Sequence, residues 1–243
     1  MTLEAPEIRP SNEEQLKRAA AREALSRVRS GMRIGLGTGS TMKHFVDLLG
    51  AALSEGVLSD VVGVPTSEAT AAQARALGIP LQELHQAQPL DLAVDGADEV
   101  DPALDLVKGL GGALLREKMV AQAAEHLVII VDEGKCVQRL GTRNALPVEV
   151  VPFAWETHVL AFEEERGIEA RRRQTRDGAP YRTDNGNFII DLTFAEGIDD
   201  AVALEALLRC RAGVVETGLF LGMADEVIVA SPDGISVRRR EVA

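Results

Sequence analysis

Apolar residues along this chain recur in two rhythms that alternate. Leu16, Ala20, Ala24, Leu25 and Val28 keep the spacing of one helix face, opened by a Ser11–Glu14 capping box and ended by Gly31. Arg33–Leu36 is a short apolar run that predicts a strand, and Thr41–Leu49 returns to helical spacing. The cycle repeats with a strand at Asp60–Val64, a loop Pro65-Thr66-Ser67 that offers an N-cap, and a helix at Glu68–Leu77. Strands are expected at Ile79–Leu84 and Leu90–Val94, a helix at Glu117–Ala124, and a fully buried strand at Leu127–Val131. This alternation predicts an α/β domain with a mainly parallel sheet.

After Pro147 the order changes. Val148–Phe153 reads as a strand, Trp155–Glu165 as a helix, and Ile168–Arg173 and Phe188–Leu192 as strands separated by Asp184-Asn185-Gly186. A helix at Asp199–Leu208 and a strand at Gly213–Glu216 complete β-α-β-β-α-β, the split pattern of ferredoxin-like units. Strands at Asp225–Ala230 and Ile235–Arg238 can return to the first domain.

Composition narrows the classes. A chain of 243 residues with 46% apolar content buries a full core without staples. Aromatic residues are only 3%, so that core is aliphatic, as in buried parallel sheets. Cys136 and Cys210 match no metal or redox spacing, which points to a reducing cytoplasm. No apolar stretch has the length of a membrane span or the form of a signal peptide. The net charge of −12 disfavours nucleic acid and anionic membranes as partners. It also means that any anionic substrate must be held by local donors against an unfavourable overall field.

Two loops carry the candidate chemistry. Gly35-Leu36-Gly37-Thr38-Gly39-Ser40-Thr41 runs from a strand into a helix, where glycines, hydroxyls and free helix N–H groups suit a phosphate. Its spacing is neither a Walker loop nor a dinucleotide fingerprint, and no acidic residue ends the next strand, so a nicotinamide cofactor is disfavoured. Asp95-Gly96-Ala97-Asp98 follows a strand directly, where open α/β sheets place ligands. Two carboxylates there can shuttle protons or hold sugar hydroxyls, while an Asx-turn with Asp98 capping a helix explains the same spacing. Lys108, Gly109 and Gly111 can bring an ammonium and N–H groups to one oxyanion. Glu117 can serve as a general base, although Arg116-Glu117-Lys118 also reads as a solvated helix face. Lys135, beyond the Val131-Asp132 strand end, and Lys17 are further candidates for a phosphate or hydroxyl. The four histidines show no metal pattern, and Arg171-Arg172-Arg173 reads as a strand face or an oligomer rim.

Taken together, these pieces resemble the type A ribose-5-phosphate isomerase family. The likeness rests on the Gly35–Thr41 loop, Asp95-Gly96-Ala97-Asp98, Lys108 through Lys118, Val131–Lys135, Leu146–Val150, Asp184–Asn187 and Gly213–Phe220, in that order from Ser11 onward. Leu110 stands where the family usually has glycine. The resemblance implies interconversion of D-ribose 5-phosphate and D-ribulose 5-phosphate through an enediolate, with no metal or organic cofactor. It implies Glu117 as the base between C2 and C1, Asp95 for ring opening and proton exchange at oxygen, and Lys108 with nearby N–H groups on the enediolate. Thr38, Gly39, Ser40, Thr41, Asp98, Lys17 and Lys135 would surround substrate oxygens, with the phosphate holder left open among Lys17, Ser40, Thr41 and Lys135. It also implies a homodimer or homotetramer whose subunits have a Rossmann-like domain (residues 1–145 and 219–243) and a ferredoxin-like domain (146–218). A sugar-phosphate sensor, or a related transferase or deaminase, stays open as an alternative on the residues alone.

Overall fold

The computed structural model describes residues 12–164 and 168–240, so Ser11 of the expected capping box and Glu165 of the expected helix end lie outside the described residues. The first part of the chain runs α1 (Asn12–Leu25), β1 (Arg33–Leu36), α2 (Ser40–Ser54), β2 (Val62–Pro65), α3 (Glu68–Ala76), the short α4 (Leu84–Ala87) and β3 (Leu92–Asp95). Then come β4 (Glu99–Val100), β5 (Leu106–Val107), α5 (Leu114–Gln122) and β6 (Leu127–Asp132). The second part runs β7 (Leu146–Val150), α6 (Glu156–Glu163), β8 (Ile168–Arg172), β9 (Phe188–Phe194), α7 (Ala201–Arg209) and β10 (Val214–Thr217). Strands β11 (Leu219–Phe220), β12 (Glu226–Ser231) and β13 (Gly234–Arg239) close the chain.

Six strands form one sheet in the order β13-β12-β6-β3-β1-β2, all parallel except β13, which is antiparallel to β12. Strand β6 explains why its sequence is apolar throughout. Val128 and Ile130 face a core with Ala20, Ile34, Phe45 and Leu49, whereas Leu127, Ile129 and Val131 face a second core with Ala93, Val120 and Phe220. A strand covered on both sides cannot alternate with polar residues. Each such fully buried isoleucine contributes about 1.5–3 kcal/mol relative to leaving it exposed.

The chain leaves β1 in one direction to reach β2 and returns on the other side to reach β3, so the strand order reverses between β1 and β3. Ligands in open α/β sheets bind in the crevice at such a reversal, beyond the strands' carboxyl ends. Both candidate loops begin there.

A second sheet, in the order β10-β7-β9-β8, is wholly antiparallel and gathers its own aliphatic core around Val148, Ile190 and Leu192. With α6 and α7 it makes the expected β-α-β-β-α-β unit. Two differences stand out. The strand expected at Ile79–Leu84 is one bridge, Leu81 to Gly63, followed by α4; Pro80 supplies no N–H and so interrupts the ladder. A third sheet, β11-β5-β4, was not expected from the sequence. Its strands are two residues long, too short to display a period of two.

Candidate active site

Asp95 is the last residue of β3 and is almost wholly buried. Its Oδ1 accepts from the N–H groups of Gly96 (2.8 Å) and Thr38 (3.1 Å), so the glycine loop after β1 is pinned on this carboxylate. Gly37 N–H extends the same ladder by donating to Val94 O at 2.9 Å. The fit leaves no room for a side chain at residue 37, because a Cβ there would stand 2.1 Å from Asp95 Oδ1.

Lys108 reaches the same point from the far side. Its Nζ donates to Gly96 O (2.5 Å) and lies 3.1 Å from Asp95 Oδ2 and 3.5 Å from Glu117 Oε2. The backbone at Lys108 is held by Gly218, whose carbonyl accepts its N–H at 2.9 Å. The ring of Phe220 lies 5.4 Å beneath the ammonium. Glu117, on the first turn of α5, is 5% exposed, so the solvated-face reading does not hold for it; Lys118 is 2% exposed and its Nζ meets Glu216 Oε1 at 2.8 Å.

These three charges control one another. Burial pushes Glu117 up to about 8; Lys108 pulls against this, and the charges of Asp95 and Asp98 add to it. Burial likewise raises Asp95, with Lys108 and the two N–H donors opposing it. Burial works against the Lys108 ammonium, but Asp95, Glu117 and Asp98 together outweigh it and hold that group above the ordinary lysine value. Glu117 Oε2 is buried and meets no hydrogen-bond partner of good geometry among the described residues, so charge dominates its 3.5 Å contact with Lys108. The result is a carboxylate of raised basicity beside a permanent cation, which suits proton transfer at carbon.

The cleft in front of this set is lined by Thr38, Gly39, Ser40, Thr41, Asp98, Lys108, Gly109, Gly111, Glu117 and Lys135, which brings together most of the residues singled out in the sequence. Gly39 precedes α2 with φ 137° and no capping side chain, so the N–H groups of the first turn are left for a ligand. Lys135 ends the short 3-10 turn after β6. Asp98 does not cap a helix; its Oδ2 accepts from Leu110 N–H at 2.9 Å. Lys17 is placed differently. It does not line the cleft, and its Nζ is paired with Glu13 at 2.6 Å and Glu14 at 3.7 Å.

Several supporting residues gave no signal in the sequence. The Thr38 hydroxyl is already engaged by Thr66 (2.7 Å), Ser67 (2.8 Å) and Thr70 (3.2 Å). Arg116, next to Glu117, is tied to Asn185 Oδ1 at 3.0 Å and to Glu68 at 3.0 Å. Glu99 is fully buried and accepts from Gly141, Arg143 and Asn144 N–H groups, fixing the segment that leads into the second sheet. Only their distant partners reveal these roles. Leu110 does not intrude where the family usually has glycine: its side chain is 38% exposed, and the left-handed backbone positions of the loop fall at Gly109 and Gly112.

Fold and site together define an α/β enzyme with a glycine loop and open helix N–H groups at the sheet's reversal point and buried titratable groups beside them. Residues 62–234 match the family profile of ribose 5-phosphate isomerase A (phosphoriboisomerase A). The chain is 50% identical over 222 residues to the ribose-5-phosphate isomerase A of Chloroflexus aurantiacus, covering 91% of this chain and 92% of the relative. It is 49% identical over 230 residues to the probable ribose-5-phosphate isomerase 3, chloroplastic, of Arabidopsis thaliana, covering 93% and 83%. A solved D-ribose-5-phosphate isomerase in complex with phospho-erythronic acid superposes with a TM-score of 0.91 at 43% identity, over 95% of this chain and 100% of that one. The chain belongs to the ribose 5-phosphate isomerase A family.

Proposed function

We propose that the protein interconverts D-ribose 5-phosphate and D-ribulose 5-phosphate, the reaction of its family, with Glu117 as the proton carrier. The observation that carries this reading is the Asp95–Lys108–Glu117 set, two buried carboxylates on one buried ammonium at the mouth of the phosphate cradle. In the open-chain aldose, Glu117 removes the proton from C2 and returns it to C1, while the hydroxyl proton passes from O2 to O1. The intermediate is a cis-enediolate. Lys108 and loop N–H groups stabilise its negative charge, the kind of preorganised donor worth about 10²–10³ in turnover. Asp95 serves ring opening and the exchange at oxygen. The phosphate rests on the N-terminus of α2 with Ser40 and Thr41, and Lys135 closes the cleft from the other side. These local donors answer the unfavourable net charge. The scheme uses no cofactor.

The reading extends to organisation. The first sheet with β11 to β13 (residues 1–145 and 219–243) is the catalytic domain, and residues 146–218 are the ferredoxin-like one. The protein acts as a dimer or tetramer in the cytoplasm. Exposed Phe153 and Leu160 support a surface buried between copies, and the free thiols of Cys136 and Cys210 support a reducing compartment. Among the described residues no helix is long and apolar enough to cross a membrane.

Incubating the purified protein with ribose 5-phosphate tests the activity. A ketose product is expected. Binding without turnover would instead make the protein a sensor of the sugar phosphate.

A further inference from the structure

The loop that carries Lys108 is gripped from the second sheet. Arg173, just past β8, sends Nη1 to two consecutive carbonyls, Gly109 O at 3.0 Å and Leu110 O at 2.8 Å. Its other edge is held by Asp191 of β9, with Nε 2.9 Å from Oδ2 and Nη2 bonded to Oδ1. The paired contact locks the guanidinium plane, and its side chain is 12% exposed. Tyr181, whose ring lies 5.8 Å from the guanidinium, donates its hydroxyl to the next carbonyl, Gly111 O, at 3.2 Å. Three successive carbonyls therefore face the second sheet.

In a trans peptide the C=O of one residue and the N–H of the next point in opposite directions. Drawing Gly109 O toward Arg173 turns Leu110 N–H away from it, and that N–H meets Asp98 Oδ2. Drawing Leu110 O toward Arg173 turns Gly111 N–H away in the same manner. Gly111 lines the cleft, and among the described residues no hydrogen bond takes up its N–H. We propose that Arg173, backed by Asp191 and flanked by Tyr181, is a positioning residue that aims the Gly111 N–H at the oxyanion of the reacting sugar and holds Asp98 beside it. This rests on the isomerase reading above. It means that the small antiparallel unit sets the geometry of a catalytic loop belonging to the other sheet. The isosteric constraint agrees: a Cβ on Gly112 would stand 2.1 Å from the Tyr181 hydroxyl, so loop and clamp are fitted to each other.

The test uses the full-length protein and ribose 5-phosphate. Arg173→Lys keeps the charge but gathers its donors on one nitrogen, so it cannot span the Asp191 carboxylate on one edge and the loop carbonyls on the other. It is expected to lower kcat about 10- to 100-fold, the range for misplaced catalytic groups, with KM changed less than about threefold. Tyr181→Phe keeps the ring and loses one contact, and a smaller fall in kcat is expected. The acid limb of the pH profile shifts little in both variants, because neither touches Glu117 and burial, not Asp98, is the main cause of its raised pKa. A kcat within about twofold of wild type in Arg173→Lys, or a loss carried by KM alone, would overturn the proposal. Turnover by the wild type and its loss in Glu117→Gln test the isomerase reading separately, so the two failures are distinguishable.

Discussion

Glu117 Oε2 lies 3.5 Å from Lys108 Nζ, yet this buried oxygen meets no hydrogen-bond partner of good geometry among the described residues. A carboxylate left in that condition is poorly solvated and therefore strongly basic. It is in the protonation-ready state that abstraction of a proton from carbon requires. Glu117→Gln keeps the shape and removes the base, and is expected to fold normally and lose at least about 10²-fold in kcat. Steady-state turnover together with a thermal melt checks this; near-normal turnover would remove Glu117 from its role.

The acid side of the rate profile follows from the same group. The proposed base must be a carboxylate, and the Glu117 pKa is pushed up to about 8, so kcat/KM is expected to rise with pH up to that region and then level. Lys108, held above the ordinary lysine value, stays charged across this window. A profile already flat from pH 6 would mean that the base titrates far lower than its burial dictates.

Stability carries the reverse dependence. The folded pKa of Glu117 stands above its unfolded value of 4.5, so the folded chain keeps this proton while the unfolded chain has lost it. The resulting stabilisation is complete below about pH 4.5 and is lost as pH rises through about 8. Glu117→Gln has no such term. Its Tm relative to wild type is expected to climb between pH 5 and pH 8 and to hold steady beyond; a constant difference across that range would contradict the assignment.

Next to the base, Lys118 and Glu216 form a buried pair that ties α5 to β10. Removing one member leaves the other charge buried, so Lys118→Met is expected to cost about 3–5 kcal/mol. Replacing both by apolar residues is expected to cost distinctly less. Urea unfolding of the two variants measures the difference, and a double-variant loss as large as that of Lys118→Met or larger would contradict the expectation.

Where the sequence was informative, it was so because chemistry and periodicity coincided at one place. Asp95 ends an apolar strand, and the Gly37–Thr41 loop joins a strand to a helix, so the sequence alone assigns both to the carboxyl edge of a parallel sheet. The two-sided burial of β6 was visible in its unbroken apolar run. Glu117 was ambiguous alone, since Arg116-Glu117-Lys118 has the composition of a solvated face; Lys118 is covered by Phe220 and Glu216, which arrive from about a hundred residues away, and Glu117 meets Lys108 from another strand's end. Lys17 shows the opposite case, a lysine with suitable chemistry whose ammonium is engaged by Glu13 on its own helix. The β4, β5 and β11 strands are each two residues long, too short to show a period, and the Arg173 clamp joins segments distant in sequence, so neither has a local signature.

The proposed reaction turns on proton transfer between C2 and C1 through Glu117. Ribose 5-phosphate converted in D₂O and followed by proton NMR tests it most directly. Ribulose 5-phosphate is expected to accumulate deuterium at C1 over repeated turnovers, with conversion and labelling both lost in Glu117→Gln. Sustained conversion with no deuterium at C1, undiminished in that variant, would contradict it.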